Sequence, residues 1–225
     1  MEKLNVKIKG FNALLMHSNY GANPLSPISK EIKKIDRIPA KQKTDADFVR
    51  KLYLEWLSGI YHDDKEKLLE YVLEAQFNTE ETRLEFGSQK LKGDNRVYVP
   101  SECIEATIIA GAKKERKGTA VKSSVIVSPE KIPLIFKDQN QDLFSLMKKD
   151  TYRDVRQAKI GRSTITRCRP RFDDWELEFE IEYDNEIVNE ETITEALLYA
   201  GKYIGICDYR PKYGRFQIID IGRVS

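Results

Sequence analysis

Cysteine, histidine and long apolar runs are all scarce in this chain. Its 225 residues hold three cysteines, Cys103, Cys168 and Cys207, widely spaced and odd in number. That excludes a disulfide framework and a Cys-x-x-Cys metal pair, and it fits a reducing, cytoplasmic setting. Two histidines, His17 and His62, leave little material for proton transfer near neutral pH. No apolar run approaches the roughly 20 residues of a membrane-spanning helix, and the opening MEKLNVKIKG lacks the apolar centre of a secretory signal. No membrane partner is expected. A Gly-x-x-x-x-Gly-Lys phosphate loop, a nucleophile elbow, internal repeats and low-complexity segments are also missing. Nor does one sign of charge dominate. The formal net charge of +2 means that a polyanion would have to be met by a local patch.

What is present reads as one large domain spanning 1–225, since 40% of the residues are hydrophobic and 33% charged. KLNVKIKGF alternates Leu4, Val6 and Ile8 with lysines, the pattern of a half-buried strand. The segment 19–43 has loop signals and a basic excess: Lys30, Lys33, Lys34, Arg37, Lys41 and Lys43 stand against Glu31 and Asp36. Thr44 caps a helix with Asp45 and Asp47 in its first turn, and a second helix starts near Asp64. The two make an inserted helical hairpin, 44–78. Ser101 caps a helix running to about Lys117, AVKSSVIV and IPLIF are strand candidates, and DLFSLMKK is a short helix.

RCRPRFDDWELEFEIEYD, Arg167 to Asp184, alternates arginines and then glutamates with apolar residues. A turn at Asp173–Asp174 sets Arg171 opposite Glu176, Arg169 opposite Glu178 and Arg167 opposite Glu180. Such a hairpin keeps charge off its apolar face and makes neutralisation the main work of the arginines. Arg162 and the open side of the ladder remain available to phosphate. Asn189 then caps a helix whose apolar face is Ile193, Leu197, Leu198, Ala200 and Ile204, and Gly205 stops it. FQIIDI is the closing strand. The order of elements predicts an α+β fold, a ferredoxin-like (RRM-like) antiparallel sheet with helices on one face.

The stretch GICDYRPKYGRF is the richest in binding chemistry. Gly205 and Gly214 bracket Tyr209, Arg210, Lys212, Tyr213 and Arg215. Glycine allows close approach of main-chain amides to a ligand, the cations suit phosphate, and tyrosine stacks on a base. The alternative is a structural turn, with Gly214 required by its dihedrals and Arg215 paired to an acid.

RVYVPSECIEATIIAGAKK resembles the strand–Pro–Ser–helix motif of the RAMP superfamily, ferredoxin-like subunits of CRISPR effector complexes. IGICDYRPKYGRFQI is similar to that superfamily's glycine-rich loop between last helix and last strand. The chain also resembles small proteins encoded by bacteriophages and prophages, which would place it in a bacterial host cell. It departs from the superfamily at Glu102 and Cys103 after Ser101, in a helix ending in lysines, and in having no second ferredoxin-like half.

The resemblance implies a non-catalytic protein that binds RNA or single-stranded nucleic acid through Tyr209, Arg210, Lys212, Tyr213, Gly214 and Arg215. Lys30, Lys33, Lys34 and Arg37 would extend the electrostatic track, and self-association into a homo-oligomer is implied as well. A second reading is an anti-defence protein that binds a small cyclic nucleotide at an oligomer interface. A third is a metal-independent endoribonuclease using His17, the one candidate catalytic residue. A fourth is a protein-binding module whose basic loops meet an acidic partner. No metal or other cofactor is called for: HDD at His62–Asp64 reads better as a helix boundary, and the glutamates Glu176 to Glu182 as one face of a strand.

Overall fold

The computed structural model describes residues 1–63, 65, 69, 97–160 and 163–223. In chain order the described elements begin with β1 (Glu2–Gly10), β2 (Leu14–Leu15), α1 (Pro27–Arg37), α2 (Asp45–Gly59) and β3 (Tyr98–Pro100). Next come α3 (Ser101–Ala112), α4 (Gly118–Ser124), β4 (Val125–Ser128), β5 (Lys131–Pro133), β6 (Ile135–Phe136) and α5 (Leu143–Lys148). Last are β7 (Arg153–Ile160), β8 (Ser163–Phe172), β9 (Trp175–Tyr183), α6 (Glu190–Tyr203) and β10 (Phe216–Arg223). The fold is therefore α+β with antiparallel sheet. Among the described residues no helix is long and apolar enough to cross a membrane.

The chain groups into two compact units. The first gathers Met1–Leu15, Val97–Lys137 and Phe172–Ser225, the second Met16–Arg96 and Asp138–Arg171.

The first unit is built on a sheet in the order β10-β1-β9-β4, with β6 also pairing β9. Its pairings are antiparallel throughout. Alternation decides which side is covered: Leu4, Val6 and Ile8 of β1 and Leu177, Phe179 and Ile181 of β9 are buried. Helices α3 and α6 pack on each other, α3 also against β4 and α6 against β10. They bury Ile104, Ile108, Ile193, Leu197 and Ala200. Leu198, expected on that apolar face, is 56% exposed.

The Arg–Glu hairpin does not form. Strand β8 pairs with β7, setting Arg167 opposite Arg156 and Arg169 opposite Asp154. Strand β9 pairs with β1 instead, in a register of Lys9 with Glu176, Lys7 with Glu178 and Lys3 with Glu182. Its other edge is taken by β4 and β6. With both edges filled, β9 has no place for β8. Lysine and glutamate then neutralise each other: Lys9 reaches Glu176 at 3.1 Å, Lys7 reaches Glu176 at 3.3 Å, and Lys3 reaches Glu180 and Glu182 at 3.7 Å. The hydrogen bond from Lys9 is the first cause that holds the Glu176 carboxyl below its ordinary range.

The basic loop 19–43 is also corrected, because Pro27–Arg37 is helical. Its start is locally encoded. Ser26 Oγ accepts the Ser29 N–H at 3.1 Å, and Pro27 takes the first helical position, where its missing N–H costs nothing. Ile28 and Ile35, two turns apart, are buried. Ser101 is likewise the first residue of α3 and not its cap, and VKSS belongs to helix α4.

In the second unit α2 opens with a full capping box: Thr44 Oγ1 accepts the Asp47 N–H at 3.3 Å and Asp47 accepts the Thr44 N–H at 2.9 Å. Trp56 is buried and donates its indole N–H to the Tyr152 carbonyl at 2.7 Å. Glu55, 3% exposed, accepts the Cys168 N–H at 2.8 Å and an Arg167 N–H at 3.1 Å. Asp154, also buried, is paired with Arg156 and lies 3.9 Å from Arg171. Two of the row's arginines, Arg167 and Arg171, therefore lie against the buried acids Glu55 and Asp154. Most of the second helix of the expected hairpin, and Arg162, lie outside the described residues.

Candidate functional site

The loop from Gly205 to Phe216 is shaped by its two glycines. Asn189 caps α6 by accepting the Thr192 N–H at 3.0 Å. The helix ends where Gly205 takes φ +79°, with its N–H on the Ala200 carbonyl at 2.8 Å. Gly214, at φ +72°, accepts the Ile206 N–H on its carbonyl at 2.9 Å and closes the loop on itself. A Cβ at Gly214 would stand 2.1 Å from the Ile206 carbonyl oxygen, so no other residue fits. Its N–H donates to the Ala13 carbonyl at 2.8 Å, and that of Asp208 to the Leu15 carbonyl at 3.0 Å. The glycine amides thus hold the scaffold, and Gly214 contributes shape.

Asn12 is the residue that sequence reasoning missed. Its Oδ1 accepts the Arg215 N–H at 3.0 Å and its Nδ2 donates to the Lys212 carbonyl at 2.7 Å. Its own carbonyl accepts the Trp175 indole N–H at 2.8 Å. One side chain thus pins the far limb of the loop to the end of β1. The only signal was a lone polar residue between Phe11 and the apolar run that follows.

Arg210, Lys212 and Arg215 are exposed. None of the three makes an ion pair among the described residues. Arg215 is therefore not neutralised by an acid there. Tyr209 is 44% exposed, its ring 6.0 Å from that of Tyr213, with the planes at 64°. The Lys212 ammonium lies 5.9 Å from the Tyr213 ring centroid. Beneath them, Cys207 takes φ +59° and is a free thiol. A hydrogen bond with Cys103 and burial push its pKa well above the ordinary thiol value.

The second basic cluster is a helix face. Lys30, Lys33, Lys34 and Arg37 lie at i, i+3, i+4 and i+7 of α1, and all four are exposed. Lys34 is paired with Glu31. The other three have no ion pair among the described residues. This face belongs to the second unit and the glycine-bracketed loop to the first.

His17 is exposed, and its main-chain carbonyl accepts the Tyr61 hydroxyl at 3.3 Å. Its imidazole has no hydrogen-bond partner among the described residues, so nothing described orients it for proton transfer. Asp36 pairs with Lys51 at 2.5 Å. Among the described residues no group of three His, Cys, Asp or Glu side chains is placed to hold a metal ion. No known family model matches the chain, and no curated protein sequence matches it.

Proposed function

We propose that the protein is a non-catalytic, ferredoxin-like (RRM-like) binder of RNA or single-stranded nucleic acid, of RAMP type, acting through the Gly205–Phe216 loop. The fold reading is supported by β1, α3, β4, β9, α6 and β10, which follow one another as β-α-β-β-α-β with the last strand beside the first. The observation that carries the binding reading is three exposed cations, Arg210, Lys212 and Arg215, interleaved with Tyr209 and Tyr213 on a loop held from beneath. Cations without carboxylate partners attract phosphate, and tyrosine rings beside them offer stacking surface. The lysines of β1 compete poorly, because they already meet the glutamates of β9.

The test is anisotropy of a labelled single-stranded 20-mer RNA at 50 and 200 mM salt. Wild type is expected to weaken with salt. The triple variant Arg210→Ala, Lys212→Ala, Arg215→Ala is expected to bind less tightly, with a log–log salt slope shallower by about 2, at ~0.7 per phosphate contact. A triple variant that binds like wild type would overturn the reading.

The net charge of +2 favours a confined site over a long channel and supports a second reading, a small nucleotide ligand. Affinity independent of RNA length would select it.

A further inference from the structure

A recess of about 620 Å³ lies beside the loop, between α6 and β10. That is within the ~300–1,000 Å³ range of small-ligand pockets. Leu197 and Phe216 are buried in its wall and Ile218 is half-buried. Phe11 and Leu198 border it while 57% and 56% exposed, an unusual placement for two large apolar side chains side by side around one hollow. Lys202 and Arg215 line the same recess. Neither has an ion pair among the described residues, and the Lys202 ammonium lies 5.2 Å from the Tyr203 ring centroid.

The mouth is held by main-chain geometry. The Phe11 N–H donates to the Arg215 carbonyl at 2.8 Å, and the Arg215 N–H to Asn12 Oδ1 at 3.0 Å. These bonds continue the β1–β10 ladder past its last pair, Gly10 with Phe216. Phe11 and Arg215 are therefore presented on ordered backbone, which lowers the entropy lost on binding. An apolar wall with an exposed phenyl ring and two uncompensated cations selects a ligand that joins a flat ring to an anion.

We infer that this recess is a subsite for one nucleotide unit, the base against Phe11 and Leu198 and the phosphate between Lys202 and Arg215. The inference rests on the reading of the adjacent loop as a nucleotide or nucleic-acid binder. The unit is either free or part of a strand.

The experiment uses the full chain with two probes, adenosine 5′-monophosphate by titration calorimetry and the labelled 20-mer RNA by anisotropy. The variants are Phe11→Ala, Lys202→Gln and Leu198→Asp, all at exposed positions, with thermal melts to check folding. Loss of one stacking ring is expected to weaken binding by at least about fivefold. Weakening of both probes by Phe11→Ala and Lys202→Gln supports the subsite and a free nucleotide as its occupant. Weakening of RNA alone, with no monophosphate binding by wild type, supports it with a strand as occupant. If Arg210→Ala with Lys212→Ala weakens binding while all three recess variants bind like wild type, the subsite is overturned and the loop reading stands. Wild type that binds neither probe overturns both.

Discussion

Asn12 accepts the main-chain N–H of Arg215 at 3.0 Å, although 203 positions separate the two in sequence. The same amide donates to the Lys212 carbonyl, so one side chain sets the course of the limb that carries two of the loop's three exposed cations. Replacing Asn12 by Ala removes both bonds, at about 0.5–1.5 kcal/mol each. For a chain of this size that lowers the melting temperature by about 2–4 °C per kcal/mol. RNA affinity is expected to fall as well, with every cation still in place. Unchanged melting and unchanged affinity together would deny Asn12 its positioning role.

Gly214 is the second sensitive point. Gly214→Ala forces a side chain into φ +72° and drives its Cβ toward the Ile206 carbonyl. Strain of this kind costs about 1–3 kcal/mol before any collision is counted. Lys212→Ala, two positions away and exposed, should stay within about 0.5 kcal/mol of wild type. Denaturant midpoints of the two variants make the comparison, and equal midpoints would contradict the loop as described.

The pairing of β1 with β9 is tested by exchanging charges. Lys9→Glu should lower the melting temperature, and the double variant Lys9→Glu, Glu176→Lys should recover part of the loss. The recovery is expected to shrink at 1 M salt, where screening is strong. Arg171→Glu with Glu176→Arg should show no such recovery, because β8 and β9 lie in different sheets. Rescue in the Arg171 pair would restore the hairpin that the alternation suggested.

Glu55 supplies a pH prediction. Burial is the first cause that raises its pKa above the ordinary 4.5, and the Cys168 N–H and Arg167 only partly oppose it. A raised pKa means that the folded state holds the proton more tightly than the unfolded chain. Its contribution to stability is therefore complete below 4.5 and is lost as pH rises through the higher folded value. Urea melts of wild type and Glu55→Gln between pH 4 and 7 should show wild type losing ground to the variant as pH rises. A wild type that gains on the variant over that interval would mean that the Arg167 pair outweighs burial.

Local chemistry made much of this molecule legible. Thr44 with Asp47, Asn189 with Thr192, and Gly205 mark helix ends in the sequence and mark them in the structure. Each signal is complete within four residues, so no tertiary information is needed to read it. Ser26 and Pro27 carried the same kind of start signal for α1. It was hidden by surrounding Gly, Asn and Pro and by the density of lysines, which conceals the spacing of Ile28 and Ile35. The cations and tyrosines of the Gly205–Phe216 loop were legible by composition. Asn12, Phe11 and Lys202 were not, because each gains its place only when the end of β1 meets the limb between α6 and β10.

The sequence by itself determined which faces are apolar, where the helices that start on Thr44 and Asn189 begin, and that Tyr209 to Arg215 concentrates cations and aromatics. Only the tertiary structure decided which charge meets which. Alternation fixes the faces of a strand, since side chains repeat every second residue, but it leaves the partner open. The arginines of β8 and the lysines of β1 offered the glutamates of β9 equivalent complements. The fold chose the lysines because β1, β4 and β6 fill both edges of β9, and it left Arg210, Lys212 and Arg215 without an acid among the described residues.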